Sequence, residues 1–237
     1  GAMAFFWFVG IHGPSIVEPA VSAIYITNVE QNLQLFQAGE QATNVLSQGS
    51  QYFIATLGGT GATLVITFMM AFMAKSKQLK SVGRASSVPV LFGINEPILF
   101  GAPIVLNPVF FIPFIAAPIV NVWLLKAFID IGGMNGFIYN LPWTTPGPIG
   151  LILGTGFAPL AFILAPTLII IDLLIYYPFF KVYDKQLVEQ ERLAVLEEEQ
   201  TPDTGAEIAT SATEARVVKP VDASKTYNVL VLCANGA

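Results

Sequence analysis

The chain has 237 residues, 54% of them apolar and 11% charged, with a formal net charge of −5 and a mean hydropathy of +0.65. Soluble domains carry about 25% charged residues, so an ordinary soluble enzyme is excluded. The lack of clustered Lys and Arg likewise excludes a nucleic-acid partner. One cysteine, Cys233, and one histidine, His12, rule out a disulfide framework and a multi-ligand Cys/His metal site, and no metal or cofactor is expected.

Charge is unevenly placed: residues 1–180 hold 11 Asp, Glu, Lys or Arg, and residues 181–237 hold 16. An oily body is followed by a hydrophilic tail. The opening Gly-Ala-Met-Ala-Phe-Phe-Trp-Phe already reads as membrane core and not as a cleavable leader with a basic start. The chain therefore reads as a fragment, with further spans expected outside it.

Taken in order, residues 2–26 form the first of four stretches with the roughly 20 apolar residues that a bilayer crossing needs. Its only ionisable groups are His12 and Glu18, and Gly10 with Gly13-Pro14 breaks it. Residues 27–48 are polar, with Asn28, Glu30, Asn32 and Gln41 among others. They read as a solvated connector or an amphipathic surface helix. The second span, 50–74, is interrupted by Gly58-Gly59-Thr60-Gly61 and stops at Lys75.

The basic loop Lys75, Lys77, Lys80 and Arg84 belongs in the cytoplasm by the positive-inside rule. Residues 86–104 are apolar but carry Pro89, Gly93, Pro97, Gly101 and Pro103. Proline removes a helical donor and collides with the preceding turn, so this stretch is expected to re-enter the membrane without crossing. Span three, 105–128, has Trp123 as an interfacial anchor. Seven of the 17 residues in 132–148 are Gly or Pro, which predicts a second broken segment. Span four, 149–178, ends in Tyr176, Tyr177, Phe179 and Phe180. This parity returns the tail from Lys181 to the cytoplasm.

Residues 181–200 read as a helix leaving the membrane, and 201–226 as a flexible acidic linker. Tyr227–Cys233 is a β run followed by Ala-Asn-Gly, the way a buried parallel strand enters a loop. The expected division is 1–184 membrane domain, 185–226 linker and 227–237 the start of a second, α/β domain.

Five places can carry chemistry. Glu96 is an ionisable group in an apolar stretch, where charge is costly and function is the default reading; a protonated bridge between hairpin arms is the structural alternative. His12 is a packing residue or the partner of such a carboxylate, the two gripping one hydroxyl. Gly58 and Gly59 either allow close helix packing or expose backbone amides to a pocket. Trp143, in Pro142-Trp-Thr-Thr-Pro146, is an interfacial anchor or a platform for a sugar ring. Cys233, at a strand–loop junction, is a buried thiol or a nucleophile. Asp172 and Glu18 rank below these, and Asp172 is expected to be wetted or paired.

Four motifs together carry a family resemblance: Trp7-Phe-Val-Gly-Ile-His12-Gly13, Gly58-Gly-Thr-Gly61, Asn95-Glu96-Pro97-Ile-Leu-Phe-Gly101 and Pro142-Trp143-Thr-Thr-Pro146. Over residues 1–184 the chain resembles the C-terminal half of the lactose/cellobiose-type permeases, the enzyme IIC components of the bacterial phosphotransferase system. The fold so implied is an all-α integral membrane domain with re-entrant hairpins. Val229-Leu-Val-Leu-Cys233-Ala-Asn-Gly236 resembles the opening of the family's IIB domain, whose cysteine carries the phosphoryl group. Fusion of IIB behind IIC favours the lactose type over cellobiose or chitobiose permeases.

The resemblance implies uptake of a disaccharide with phosphorylation of its 6-hydroxyl. Glu96 and His12 would be catalytic with Cys233 as phosphocysteine, and Asn95, Gly58, Gly59, Trp143 and Trp7 would bind the sugar. It also implies a phosphorylated IIA protein as donor, a homodimer in the lipid bilayer of a bacterial cell membrane, and phosphotransferase activity in the full-length protein but not in this fragment. A proton-coupled secondary transporter using Glu96 is the competing reading, against which the tethered cysteine counts.

Overall fold

Prolines and residues with positive φ decide where the helices stop. The structure, a computed structural model, describes residues 1–200, with side chains to Leu196; one unit spans Gly1–Arg192 and a second begins at Leu193. Among the described residues all regular structure is helical: α1 (Ala2–Phe8), α2 (Gly13–Gln37), α3 (Gln48–Ser50) running into a π-helical turn (Gln51–Ala55), α4 (Leu64–Met73), α5 (Lys77–Leu91), α6 (Glu96–Gly101), α7 (Phe111–Asp130), α8 (Gly147–Gly154) and α9 (Ala161–Gln200). The expected linker at 201–226 and the strand bearing Cys233 lie outside the described residues.

Two helices are long and apolar enough to cross a bilayer, Phe111–Asp130 and Ala161–Leu196. The other expected spans are broken. The first divides at Val9–His12, where Gly10 has φ +85°. The second divides at the glycine run, with Gly58, Gly59, Gly61 and Ala62 all at positive φ. The stretch 149–178 does not run as one helix: Gly156 and Phe157 turn left-handed and Pro159 follows, so α8 stops at Gly154 and α9 restarts at Ala161. At 40 residues α9 is about 60 Å long, twice the roughly 30 Å of hydrocarbon. The expected helix at 181–200 is its polar continuation.

The first broken stretch is a helix–turn–helix. α5 runs through Pro89 to Leu91, and only Phe92–Asn95 is irregular before α6. α4 and α5 lie almost backbone to backbone, since a Cβ on Gly83 would sit 2.4 Å from the Ala71 nitrogen. The start of α5 is held from α9. Asp184 accepts hydrogen bonds from the backbone N–H groups of Lys75 and Ser76 at 2.9 Å. Glu191 accepts from Ser76 Oγ at 2.6 Å, Gln78 N at 3.0 Å and Lys77 N at 3.1 Å. The first amides of a helix lack intrahelical partners, and two carboxylates of another helix supply them here.

The polar stretch 27–48 is not a free connector: α2 runs to Gln37, and residues in its last turns and just beyond it fasten the second broken stretch. Asn32, fully buried, donates to the carbonyls of Asn44 (2.9 Å) and Phe137 (3.0 Å). Gln41 donates to Ile129 and Met134, and Asn135 Oδ1 accepts from Ala42 N at 3.0 Å. Non-helical backbone at membrane depth needs such internal partners.

The core is aromatic, with Phe53, Phe110, Phe114, Phe137, Tyr176 and Phe180 fully enclosed. Phe137 fits because Gly49 and Gly154 leave room for its ring; a Cβ on either would approach it to 2.1 Å and 2.5 Å. Phe72, Phe100 and Trp123 face outward, where hydrocarbon and its interface cover apolar side chains.

Candidate functional site

Four of the breaks in the helices converge on a cavity of about 390 Å³. The α1–α2 break contributes Trp7, His12, Pro14 and Glu18, and the π turn with the glycine loop contributes Gln51, Tyr52, Thr56, Gly59 and Thr60. The α5–α6 tip brings Gly93, Asn95 and Glu96, and the second broken stretch brings Trp143. The two broken stretches meet here: a Cβ on Gly93 would lie 3.4 Å from the Trp143 carbonyl oxygen.

His12 is the N-cap of α2. Its Nδ1 accepts from the Ser15 backbone N–H at 3.3 Å and lies 2.6 Å from Ser15 Oγ. A ring nitrogen that accepts from a backbone N–H is unprotonated, so in the neutral ring the hydrogen sits on Nε2, where it can be donated to a ligand. Trp7 fixes the ring from the side, edge to face at 5.0 Å between centroids. The capping role explains why a histidine sits beside Gly13-Pro14.

Glu96 opens α6 and is exposed on the cavity side of the hairpin tip, not sealed in apolar surroundings. No ion pair among the described residues involves it, so the carboxylate is available as an acceptor. Among these residues no hydrogen bond joins it to His12; the two share the cavity but not a direct contact.

Asn95, by contrast, is buried and engaged. Its amide donates to the Thr60 carbonyl at 2.8 Å and to Thr63 Oγ1 at 2.9 Å. It ties the hairpin tip to the glycine loop. Gly59, at φ +101°, has no room for a side chain, because a Cβ would lie 2.3 Å from Asn95 Cγ. Gly58 stands behind the wall, packed on Leu64, and its carbonyl accepts from Thr63 Oγ1 at 2.8 Å. Trp143 is 52% exposed, which leaves its indole free to stack.

Of the residues singled out in the sequence, Trp7, His12, Gly59, Asn95, Glu96 and Trp143 line the cavity, together with the lower-ranked Glu18. Gly58 does not, and Cys233 lies outside the described residues. The sequence reading missed Gln51, Tyr52, Thr56 and Thr60. Their signal was polarity near the start of an apolar stretch, but it takes the π turn at Gln51–Ala55 and the glycine loop after it to bring them to the same space. Asp172 is fully buried and bonded to Asn121, not wetted.

The cavity therefore offers an imidazole ring nitrogen, an open carboxylate, amide and hydroxyl groups, and indole faces. Apolar walls with a few convergent polar groups are the usual make-up of small-molecule sites. No group of three or more His, Cys, Asp or Glu suited to a metal occurs among the described residues.

Fold and cavity together define a helical membrane domain with an internal polar site. Residues 1–118 match the family described as "Phosphotransferase system, EIIC". Over its whole length the chain is 54% identical to the PTS system lactose-specific EIICB component of Staphylococcus aureus, covering 43% of that protein. It is 57% identical to the lactose-specific EIICB component of Streptococcus mutans serotype c, again covering 43%. The structure is similar to the crystal structure of the transporter ChbC, the IIC component from the N,N'-diacetylchitobiose-specific phosphotransferase system. That match has a TM-score of 0.76 and 36% identity, over 81% of this chain and 44% of the other. The chain belongs to the EIIC family of the phosphotransferase system, and it spans less than half the length of these relatives.

Proposed function

We propose that this chain is the sugar-holding part of a lactose-type phosphotransferase permease, and that the cavity between its broken helices positions a disaccharide for phosphorylation. The observation that carries the reading is the convergence of His12, Glu96, Trp7 and Trp143 on one cavity, in a chain 54% identical to a lactose-specific EIICB component. Lactose is favoured over N,N'-diacetylchitobiose because identity to the lactose-specific relatives exceeds the 36% shared with the chitobiose transporter.

Trp143 and Trp7 stack on the sugar's C–H faces, and His12 Nε2–H donates to a ring or hydroxyl oxygen. The Glu96 carboxylate accepts the hydrogen of the sugar's 6-hydroxyl. When phosphorylated Cys233 of the IIB domain reaches the site, the hydroxyl oxygen attacks phosphorus in line. The new O–P bond forms as the S–P bond breaks, the thiolate leaves, and the proton passes to Glu96. Such a transfer needs mainly positioning and charge stabilisation. The tether at 201–226 raises the local concentration of the donor domain, which a phosphorylated IIA protein recharges. The basic loop and the tail face the cytoplasm, and the permease works as a dimer in the bacterial cell membrane.

The test is phosphoenolpyruvate-dependent phosphorylation of lactose by the full-length protein in membrane vesicles with the soluble phosphotransferase components. Glu96→Gln keeps the shape of the side chain but removes its basicity, and a fall in turnover of about 10²-fold or more is expected. Wild-type turnover in that variant would remove Glu96 from its role. Uptake of unmodified sugar on a proton gradient would overturn the reading as a whole.

A further inference from the structure

The glycine loop and π turn that wall the cavity are pinned by side chains, of which Asn121, Thr63 and Tyr176 lie outside the cavity lining. Between Gln51 and Thr63 the helical ladder fails, and carbonyls are left over. Thr56 N bonds to Gln51 O, Gly59 N to Thr56 O and Leu64 N to Leu57 O, so the Ile54, Gly58, Thr60 and Gly61 carbonyls need other donors. Each has one: Asn121 Nδ2 reaches Ile54 O at 3.3 Å, Thr63 reaches Gly58, Asn95 reaches Thr60 and Tyr176 Oη donates to Gly61.

Asn121 is itself held. The same Nδ2 donates to Asp172 Oδ2 at 3.1 Å, across from α7 to α9, and both residues are fully buried. One atom on each remains enclosed and without a partner: Asn121 Oδ1 and Asp172 Oδ1. Both are oxygens. They are the second atoms of the amide and carboxyl groups already joined through Nδ2 and Oδ2, and a buried unsatisfied polar group is costly. No ion pair among the described residues involves Asp172.

We propose that Asp172 holds a proton on Oδ1 and donates it to Asn121 Oδ1, closing a cyclic acid–amide pair that positions the sugar-facing π turn through the Ile54 carbonyl. One proton then satisfies both orphaned oxygens and removes a bare charge from the membrane interior. Tyr176, one helical turn beyond Asp172 on α9, performs the same service for Gly61. Asp172, Asn121 and Tyr176 are positioning residues: they touch no ligand, but they fix the turn that carries Gln51, Tyr52 and Thr56 into the cavity. A π turn differs from an α turn by one residue of register, so releasing its carbonyl re-aims those side chains.

The inference rests on the sugar-site reading above, and the experiment separates the two. Lactose affinity is measured by quenching of tryptophan fluorescence on the full-length protein in detergent, since Trp7 and Trp143 line the site. Phosphotransfer from the phosphorylated IIA protein is measured in parallel. Asp172→Asn supplies an amide with the same donor and acceptor pattern as the neutral acid, and lactose affinity within about twofold of wild type is expected. Asn121→Leu breaks the pair, and Tyr176→Phe removes one hydroxyl with little risk to folding. Each is expected to weaken lactose binding roughly tenfold while the apparent affinity for the IIA protein is unchanged.

If Asp172→Asn binds as weakly as Asn121→Leu, the proton assignment is overturned. Wild-type lactose affinity in Tyr176→Phe would overturn the positioning role, and that variant serves even where Asn121→Leu fails to fold. Absence of lactose binding in the wild-type protein would count against the sugar-site reading instead.

Discussion

Gly59 and Gly10 share a backbone conformation that side chains disfavour, with φ of +101° and +85°, yet their surroundings differ. A Cβ on Gly10 meets nothing within 4 Å, whereas on Gly59 it falls 2.3 Å from Asn95 Cγ. Gly10→Ala is therefore expected to cost only the left-handed strain, about 1–2 kcal/mol. Gly59→Ala must in addition push Asn95 off Thr60 and Thr63, leaving buried partners unmatched at about 1–3 kcal/mol more. Thermal unfolding in detergent should rank the two variants in that order, with lactose binding lost only in Gly59→Ala. At this scale the sequence was informative about which residues gather and less so about what each does. Glu96, His12 and Trp143 stood out as polar or aromatic groups at breaks in apolar stretches, and all three line the cavity. Asn95 had the same signal, but its amide hydrogens are committed to protein acceptors. No sequence pattern distinguishes an amide that faces a ligand from one that braces a loop.

Elements were legible where composition was extreme and misread where tertiary partners set the outcome. The seven Gly and Pro residues of 132–148 forced a broken segment, and the structure has one. The apolar run 149–178 read as a single span, but left-handed turns at Gly156 and Phe157 split it, and the Gly154 carbonyl at the break accepts from Ile138 and Tyr139 of the second broken stretch. Polar residues 27–48 gave the opposite error, because Asn32 and Gln41 find carbonyls more than 80 residues away at Phe137 and Ile129. The carboxylate clamp on α5 belongs to the same class of long-range fact. Asp184 and Glu191 satisfy four backbone amides and one hydroxyl around Lys75–Gln78. Glu191→Ala removes three of those bonds at a half-buried position, so a cost of about 0.5–2 kcal/mol, in the range of a lost helix cap, is expected. Hydrogen exchange should show faster opening at Lys77 and Gln78, with the α6 amides unaffected. Equal protection in the variant and the wild type would mean that water replaces the clamp.

For the molecule as a whole, the same clamp constrains topology more firmly than charge counting does. The start of α5 touches α9 at Asp184 and Glu191, so the basic loop and this part of α9 lie at one end of the helical domain. At the other end, a Cβ on Gly132 would meet Leu160 at 3.1 Å, which places the end of α7 beside the start of α9. Gln41 reaches Ile129 at that same end. From Ala161 to Phe180 α9 is apolar but for Asp172, and it is long enough to separate these two ends by a full bilayer. Single cysteines at Lys77 and Lys185, both exposed, should thus react with a membrane-impermeant thiol reagent from the same side. A cysteine at Ile131, 88% exposed beyond the end of α7, should react from the opposite side. The orientation proposed above, with the basic loop inside, predicts that Ile131→Cys is labelled on intact cells, and Lys77→Cys and Lys185→Cys only after permeabilisation, in a background free of other reactive cysteines. Labelling of Lys77→Cys and Lys185→Cys from different sides would contradict the clamp itself. Labelling of all three in the reversed sense would leave the fold intact but place the tail, and with it the phosphoryl donor, on the wrong side for the proposed reaction.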